Sequence, residues 1–241
     1  MWLNEEKVVD SAISVYRASL LNSCPNHVVI DGLFDQAKLN EIVRILQKPC
    51  NWHSQKHTYS ALCVDNTEWE KASDAHRFVK RDVWQRTAPL TNEVCTNRID
   101  SCHLEPCSAQ EFLSYLRCEE FMALLSRIFN VVITDMNVED PDINTNYFRL
   151  GTDDFIEQHA DDSPGREVCM LLYLNDDWQA NTGGELMFLG NGDVPISIAP
   201  VLNRCVLFDP SSKGSEHWVK RLNSAYAGEY RYNVTSWYWS E

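Results

Sequence analysis

Between Arg166 and Trp239 the sequence breaks into short apolar runs separated by turn residues, and that spacing leaves few folds open. Arg166 to Leu174 is apolar enough for a buried strand and closes on the polar Asn175-Asp176-Asp177. Gly183-Gly184 reads as a tight turn, because glycine tolerates positive φ, and Asn191-Gly192 as the tip of a hairpin. Ile196–Ile198, Arg204–Phe208, a segment around His217 and the run Tyr230–Trp239 follow at short intervals. Many short strands with even turn spacing predict an all-β barrel or a double-sheet jelly roll.

Two of these segments carry chemistry. Side chains alternate along an extended chain, so His159 and Asp161 point the same way while Ala160 turns aside. One strand end therefore offers an imidazole and a carboxylate to one ion, and His217 supplies a second imidazole if its strand lies alongside. Two His and one carboxylate with open positions opposite is the ligand set of non-haem Fe(II) oxygenases. In the last strand, alternation puts Arg231, Asn233, Thr235 and Trp237 on one face, an odd face to bury without an anionic partner. A guanidinium matches a carboxylate with two parallel hydrogen bonds, to which the Thr235 hydroxyl and a phenol from Tyr173 can add.

About residues 112 to 241, the sequence resembles the Fe(II)/2-oxoglutarate dioxygenases of the prolyl 4-hydroxylase type. The resemblance rests on H-A-D at 159–161, R-E-V-C-M-L-L-Y-L-N-D-D-W at 166–178, G-G-E-L at 183–186, His217-Trp-Val and R-Y-N-V-T-S-W-Y at 231–238. It is strongest to the oxygen-sensing and ribosomal prolyl hydroxylases. It implies a double-stranded β-helix (jelly-roll, cupin-like) core, mainly β with flanking helices. It implies Fe(II) held by His159, Asp161 and His217, and 2-oxoglutarate held by Arg231, Tyr173 and Thr235. Dioxygen would be the second cosubstrate and ascorbate the reductant, with succinate and carbon dioxide released as a C–H bond is hydroxylated. Arg166 would face a substrate carbonyl. The expected substrate is a prolyl residue of a protein or peptide; the alternatives are a free amino acid or other small metabolite, or a catalytically silent jelly-roll binding module. Where the family often has a pocket-lining Tyr shortly before the first ligand, this chain has Arg149, with Tyr147 and Phe148 earlier. Asn223–Gly228 reads as an inserted turn.

The first half reads as support. At 241 residues and 44% hydrophobic, the chain can bury a sizeable core, and one domain over 1–241 is the simplest reading. Helical support would span about 1–130 and the catalytic core about 131–241. Asn4 is placed to cap a helix through Val8, Ile13, Val15 and Tyr16, and Asp35 to cap another through Leu39, Ile42, Val43 and Leu46. His27–Ile30 reads as a strand between them. Trp52–Tyr59 reads as a strand or loop near the site mouth, Glu68–Arg86 as a helix, and Asn92–Cys107 as a loop. Ser108-Ala-Gln-Glu111 has the form of a capping box opening an amphipathic helix, and a second helix follows through Phe121, Leu124, Leu125 and Ile128.

A net charge of -14 disfavours nucleic acid, whose phosphates need a basic face. The N-terminal Met-Trp-Leu-Asn-Glu-Glu-Lys has no long apolar core, so neither a leader nor a membrane span is expected. Nine cysteines without C-x-x-C spacing predict a reducing, cytoplasmic setting. Cys102, His103 and Cys107 lack a fourth ligand for zinc. His53, His57, His76 and His103 are read as ordinary surface or second-layer histidines.

Overall fold

The computed structural model describes residues 1–59, 77–85, 107–134, 144–192 and 194–240. The helices are α1 (Asp10–Asn22), α2 (Gln36–Leu46), α3 (Ser108–Tyr115) and α4 (Glu119–Phe129). The strands are β1 (His27–Asp31), β2 (Trp52–Tyr59), β3 (Arg77–Trp84), β4 (Thr145–Leu150), β5 (Phe155–His159) and β6 (Arg166–Tyr173). They continue with β7 (Leu186–Asn191), β8 (Val194–Ile198), β9 (Arg204–Phe208), β10 (His217–Val219) and β11 (Arg231–Trp239). One antiparallel path runs β1-β9-β6-β11-β4-β3-β5-β10-β7-β8, with β2 paired to β3. The path folds back at β3, which pairs with β4 through Asp82 and Val83 and with β5 through Val79 and Lys80. The result is the expected jelly-roll, a double-stranded β-helix with helices on one side.

Alternation along the central strands separates two cores. From β6, Val168, Met170 and Leu172 pack on the helix side, together with Cys205 and Leu207 of β9 and Val234 and Tyr238 of β11. They meet Leu39 and Ile42 of α2, Phe112 and Leu113 of α3, and Phe121 and Leu125 of α4. The opposite phase, Cys169, Leu171 and Tyr173 with Val206 and Phe208, faces the barrel interior against Leu186, Phe188 and Ile198. Burial of both faces explains why β6 is an unbroken apolar run rather than an alternating one.

Helix starts hold in part. Asp35 Oδ1 accepts from Lys38 N at 2.9 Å, the expected cap of α2. Asn4 Oδ1 instead accepts from Glu6 N and caps a short 3₁₀ turn, Glu5–Lys7, ahead of α1. Val15, expected on the apolar face of α1, is exposed, while Ile13 and Leu20 are buried. The capping box at Ser108 does not form: Cys107 is the capping position, and the Ser108 hydroxyl donates to Glu41 Oε1 on α2 at 2.9 Å. A partner distant in sequence outcompetes the local one.

The helix expected over Glu68–Arg86 is corrected where it is described. Arg77–Trp84 is β3, paired with β2 from Trp52↔Trp84 to Tyr59↔Arg77. Its period is two, with Val79 and Arg81 buried on one face and Trp84 turned to the helix-side core. Residues 68–76, most of the loop expected at 92–107, and His76, Cys102 and His103 lie outside the described residues. No helix among the described residues is long and apolar enough to cross a membrane.

Asn203 joins the two layers. Its backbone is left-handed at φ 60, and its N–H donates to Tyr173 O at 3.0 Å. Its amide donates to Phe34 O at 2.7 Å and accepts from Phe34 N at 3.2 Å, so one side chain satisfies both main-chain groups of a buried residue. Asn203→Ala strands both groups and should lower stability by roughly 2–3 kcal/mol. Urea unfolding checks this; an unmoved midpoint would show that water replaces the amide without loss.

Candidate metal and cosubstrate site

β5 ends at His159 and β10 begins at His217, and the two residues are direct cross-strand partners. Their ring centroids are 4.3 Å apart. Asp161, just beyond β5, completes the cluster: Oδ1 is 3.6 Å from His159 Nε2, and Oδ2 is 3.7 Å from His217 Nε2. Among the described residues this is the group of His, Cys, Asp and Glu able to hold a metal ion, and all three members are buried. The β-pairing thus brings His217 to the His159–Asp161 pair from which it is far separated in sequence.

The main chain sets the tautomers. His159 Nδ1 lies 2.8 Å from Glu157 O, and His217 Nδ1 lies 3.0 Å from Ser215 O. A carbonyl can only accept, so each Nδ1 carries the proton and each Nε2 presents a lone pair. Burial foremost, then the neighbouring His217, holds the His159 pKa well below its ordinary value, so its ring is neutral. For Asp161, burial pushes upward but is outweighed by His217, His159 and Arg166 and by the hydrogen bond from Trp237, and the net shift is downward. The carboxylate is therefore ionised beside a neutral His159 imidazole, the state in which such groups bind a cation.

Two neighbours fix Asp161. Trp237 Nε1 donates to Oδ2 at 2.8 Å, and the Cys169 thiol approaches the same oxygen at 3.7 Å. Arg166 Nη1 donates to the Asp161 carbonyl, with its guanidinium over the Trp239 ring at 4.9 Å and the Trp237 ring at 5.6 Å. Phe188 and Phe208 close around His217, with ring centroids at 5.9 and 5.2 Å.

The polar face of β11 forms the other end of the site. Arg231, 3% exposed, donates from Nε to Gly184 O at 2.7 Å and from Nη1 to Asn233 Oδ1 at 2.6 Å. Asn233 Nδ2 donates to Thr235 Oγ1 at 2.8 Å, which leaves the Thr235 O–H as a donor. Gly184 sits at φ +82, and a Cβ there would lie 3.0 Å from Arg231 Cδ, so glycine at this position makes room for the arginine. Arg231 Nη2 and Tyr173 Oη are buried without a hydrogen-bond partner, although the guanidinium is 5.0 Å from the Tyr173 ring. Burial pushes the Tyr173 phenol up to about 12 despite that cation, so it too is a donor. Unpartnered donors converging in a dry interior suit a carboxylate.

The sequence missed Asn233 and Trp237 as functional side chains. Both lie in the phase that alternation assigns to Arg231 and Thr235, which is the signal that could have found them. Arg149, which takes the spacing of the family's tyrosine, turns away from the interior. It pairs with Asp82 at 3.0 Å and lies over Trp52 and Tyr230. Phe148, cross-strand from Asn233, fills the inward position. The expected inserted turn is a 3₁₀ turn, Ser224–Tyr226, capped by Asn223.

Residues 145–239 match the family model described as the 2OG-Fe(II) oxygenase superfamily. Over those residues the chain is similar to that superfamily. That similarity points to Fe(II), 2-oxoglutarate and O2, for which the His-Asp-His cluster and the orphaned donors are chemically suited. Solved structures share the fold over nearly the whole chain. A Pseudomonas putida prolyl-4-hydroxylase aligns with a TM-score of 0.52 and 16% identity, covering 95% of this chain and 99% of its own. A Trichoplax adhaerens prolyl hydroxylase, in complex with a hypoxia inducible factor oxygen degradation domain peptide fragment, aligns with a TM-score of 0.55 and 20% identity, covering 95% and 90%. Among curated proteins no sequence matches.

A metal ion at this cluster depends on how Asp161 is held. Trp237→Phe removes the 2.8 Å hydrogen bond while keeping an aromatic ring. Metal affinity should fall roughly ten- to a hundredfold. Anaerobic titration with Fe(II) checks this, and an unchanged affinity would show that the remaining contacts orient the carboxylate by themselves.

Proposed function

We propose that this chain is a 2-oxoglutarate-dependent dioxygenase that hydroxylates a prolyl residue of a protein or peptide, releasing succinate and carbon dioxide. His159, Asp161 and His217 would hold Fe(II), and Arg231, Tyr173 and Thr235 the distal carboxylate of 2-oxoglutarate. The observation that carries the cosubstrate assignment is the pair of orphaned buried donors, Arg231 Nη2 and Tyr173 Oη. When bound, the iron and its keto acid supply the oxidation of an unactivated C–H bond by O2. The chain's own residues supply the rest. The Glu157 and Ser215 carbonyls keep both imidazoles in the ligating tautomer. Gly184 and Asn233 fix the guanidinium. Phe188, Phe208 and Leu171 keep water from the interior.

The prolyl assignment is supported by the sequence resemblance and by the peptide complex of the Trichoplax adhaerens structural neighbour. A free amino acid would ask for charged groups matching both its carboxylate and its amine. The basic candidate nearest the motifs, Arg149, is engaged with Asp82, which favours the peptide reading. Arg166 Nη1 donates to the Asp161 carbonyl, and its remaining N–H groups would meet a substrate carbonyl. We assign ascorbate as the reductant and treat residues 1–241 as one domain, since β1 pairs with β9 and α2 to α4 share the β6–β9–β11 core. Free thiols at the six described cysteines support a reducing compartment such as the cytoplasm.

Incubation with Fe(II), ascorbate, 2-oxoglutarate and a proline-containing peptide library should yield a peptide carrying one added oxygen by mass spectrometry. Succinate formation coupled to a free amino acid, with none for any peptide, would overturn the prolyl reading. His217→Ala should abolish 2-oxoglutarate turnover while the far-UV spectrum is retained, and parental turnover would remove His217 from the ligand set. Arg231→Ala removes a charge-assisted contact of about 1.5–3 kcal/mol, so 2-oxoglutarate affinity should fall roughly ten- to a hundredfold. Iron affinity should be nearly unchanged. An unchanged 2-oxoglutarate dissociation constant would place the anchor elsewhere.

A further inference from the structure

Asn233 stands at the centre of the donors assigned above to the distal carboxylate. On β11 its neighbours in the inward phase are Arg231 and Thr235, and across the β6–β11 ladder its partner is Tyr173. Its other cross-strand partner, Phe148 of β4, has no hydrogen-bonding side chain. The amide is 3% exposed, so both of its polar ends need partners in the interior. One end takes the Arg231 Nη1 donor at 2.6 Å, and the other reaches Thr235 Oγ1 at 2.8 Å.

The polarity of this run of bonds is fixed from one end. A guanidinium can only donate, so the amide atom facing Arg231 is the oxygen and the atom facing Thr235 is the nitrogen. That nitrogen can only donate in turn, so the Thr235 oxygen accepts and its own hydrogen points elsewhere. At Arg231, Nε is spent on Gly184 O and Nη1 on Asn233, which leaves Nη2 as the edge without a partner. The two acceptors beside the guanidinium, Gly184 O and Asn233 Oδ1, are thereby both occupied. What remains is a set of donors beside a buried cation: Arg231 Nη2, the Tyr173 phenol and the Thr235 hydroxyl.

We propose that Asn233 determines the specificity of the cosubstrate pocket: its amide sets the direction of the hydrogen bonds there, so that the pocket takes an ionised carboxylate and disfavours a keto acid with a neutral tail. The role rests on the cosubstrate reading given above. Asn233 acts in it as a positioning residue, through Arg231 and Thr235. Its nearest isostere cannot replace it, because an aspartate has the same shape but two acceptor ends. An introduced carboxylate pairs with Arg231 and draws the Thr235 hydrogen toward itself, which cancels the charge and removes a donor together. Asn233→Ala only frees the two neighbours and leaves both able to meet a carboxylate. Binding therefore ranks Asn233→Ala above Asn233→Asp, the reverse of the order that shape alone gives.

The test uses the full chain loaded with Mn(II), which permits binding without turnover. Affinities for 2-oxoglutarate and for 2-oxopentanoate, which has the same carbon chain but no distal carboxylate, are measured on the parent, Asn233→Asp and Asn233→Ala. Mn(II) affinity is measured separately on each. Asn233→Asp should weaken 2-oxoglutarate binding roughly ten- to a hundredfold, and Asn233→Ala by less. Binding of 2-oxopentanoate and of Mn(II) should be unchanged in both, so the preference for the dianion collapses in Asn233→Asp. A second arm does not depend on the folding of Asn233→Asp: Thr235→Val is made in the parent and in Asn233→Ala. It should cost less 2-oxoglutarate affinity in the second background, where the hydroxyl is no longer aimed. If Asn233→Asp binds 2-oxoglutarate as well as Asn233→Ala does, the proposal is overturned while the cosubstrate reading stands. An equal loss for both keto acids would also overturn it, by making Asn233 a support of the pocket's shape. So would an equal cost of Thr235→Val in the two backgrounds. No 2-oxoglutarate binding by the parent would remove the cosubstrate reading itself and this proposal with it.

Discussion

Burial of β11 on both faces is the constraint on which the site depends. The strand lies between β6 and β4, so neither edge reaches solvent, and consecutive residues must suit opposite layers. Val234 and Tyr238 pack against the helices, while Arg231, Asn233 and Thr235 occupy the interior phase. A one-residue slip would turn the guanidinium to the opposite face of the strand and leave Tyr230 or Tyr232 in the place of Arg231. The apolar residues therefore enforce the register that aims the polar ones.

At the metal end the same task falls to the backbone. Glu157 and Ser215 contribute only their carbonyl oxygens to the histidine rings. Almost any residue could stand at those two positions, provided that the strand geometry is kept. Asp161 differs, since it lies beyond β5 in irregular chain and is oriented by the side chains of Trp237 and Cys169 and by the hold of Arg166 on its carbonyl. Two members of the cluster are thus positioned by sheet pairing and the third by side chains on β11 and β6.

Legibility in the sequence follows that division. The strands of the second half could be read because each face carries a distinct chemistry, and His159, Asp161 and Arg231 could be placed by phase alone. Asn233 and Trp237 shared that phase, but nothing local says that an amide bridges Arg231 to Thr235 or that an indole reaches Asp161. Those contacts exist only once β5, β6 and β11 are assembled. Ser108 was misread because its partner, Glu41, belongs to another helix. The Arg77–Trp84 strand was misread as helix because its pattern is set by a strand on each side rather than by its own composition. The choice between Phe148 and Arg149 as the inward residue was likewise open until pairing with β11 fixed which of them faces in.

The exchange of partners along β3 has a mechanical meaning. Elsewhere each strand belongs to one layer of the barrel, but β3 is stitched to β4 by its second half and to β5 by its first. It acts as the seam of the two layers, while β1 and β8 end the path among the described residues. A load on the β2–β3 hairpin is therefore shared by the layer carrying Arg231 and the layer carrying His159. Whatever docks against that hairpin presses on both ends of the site through a single strand.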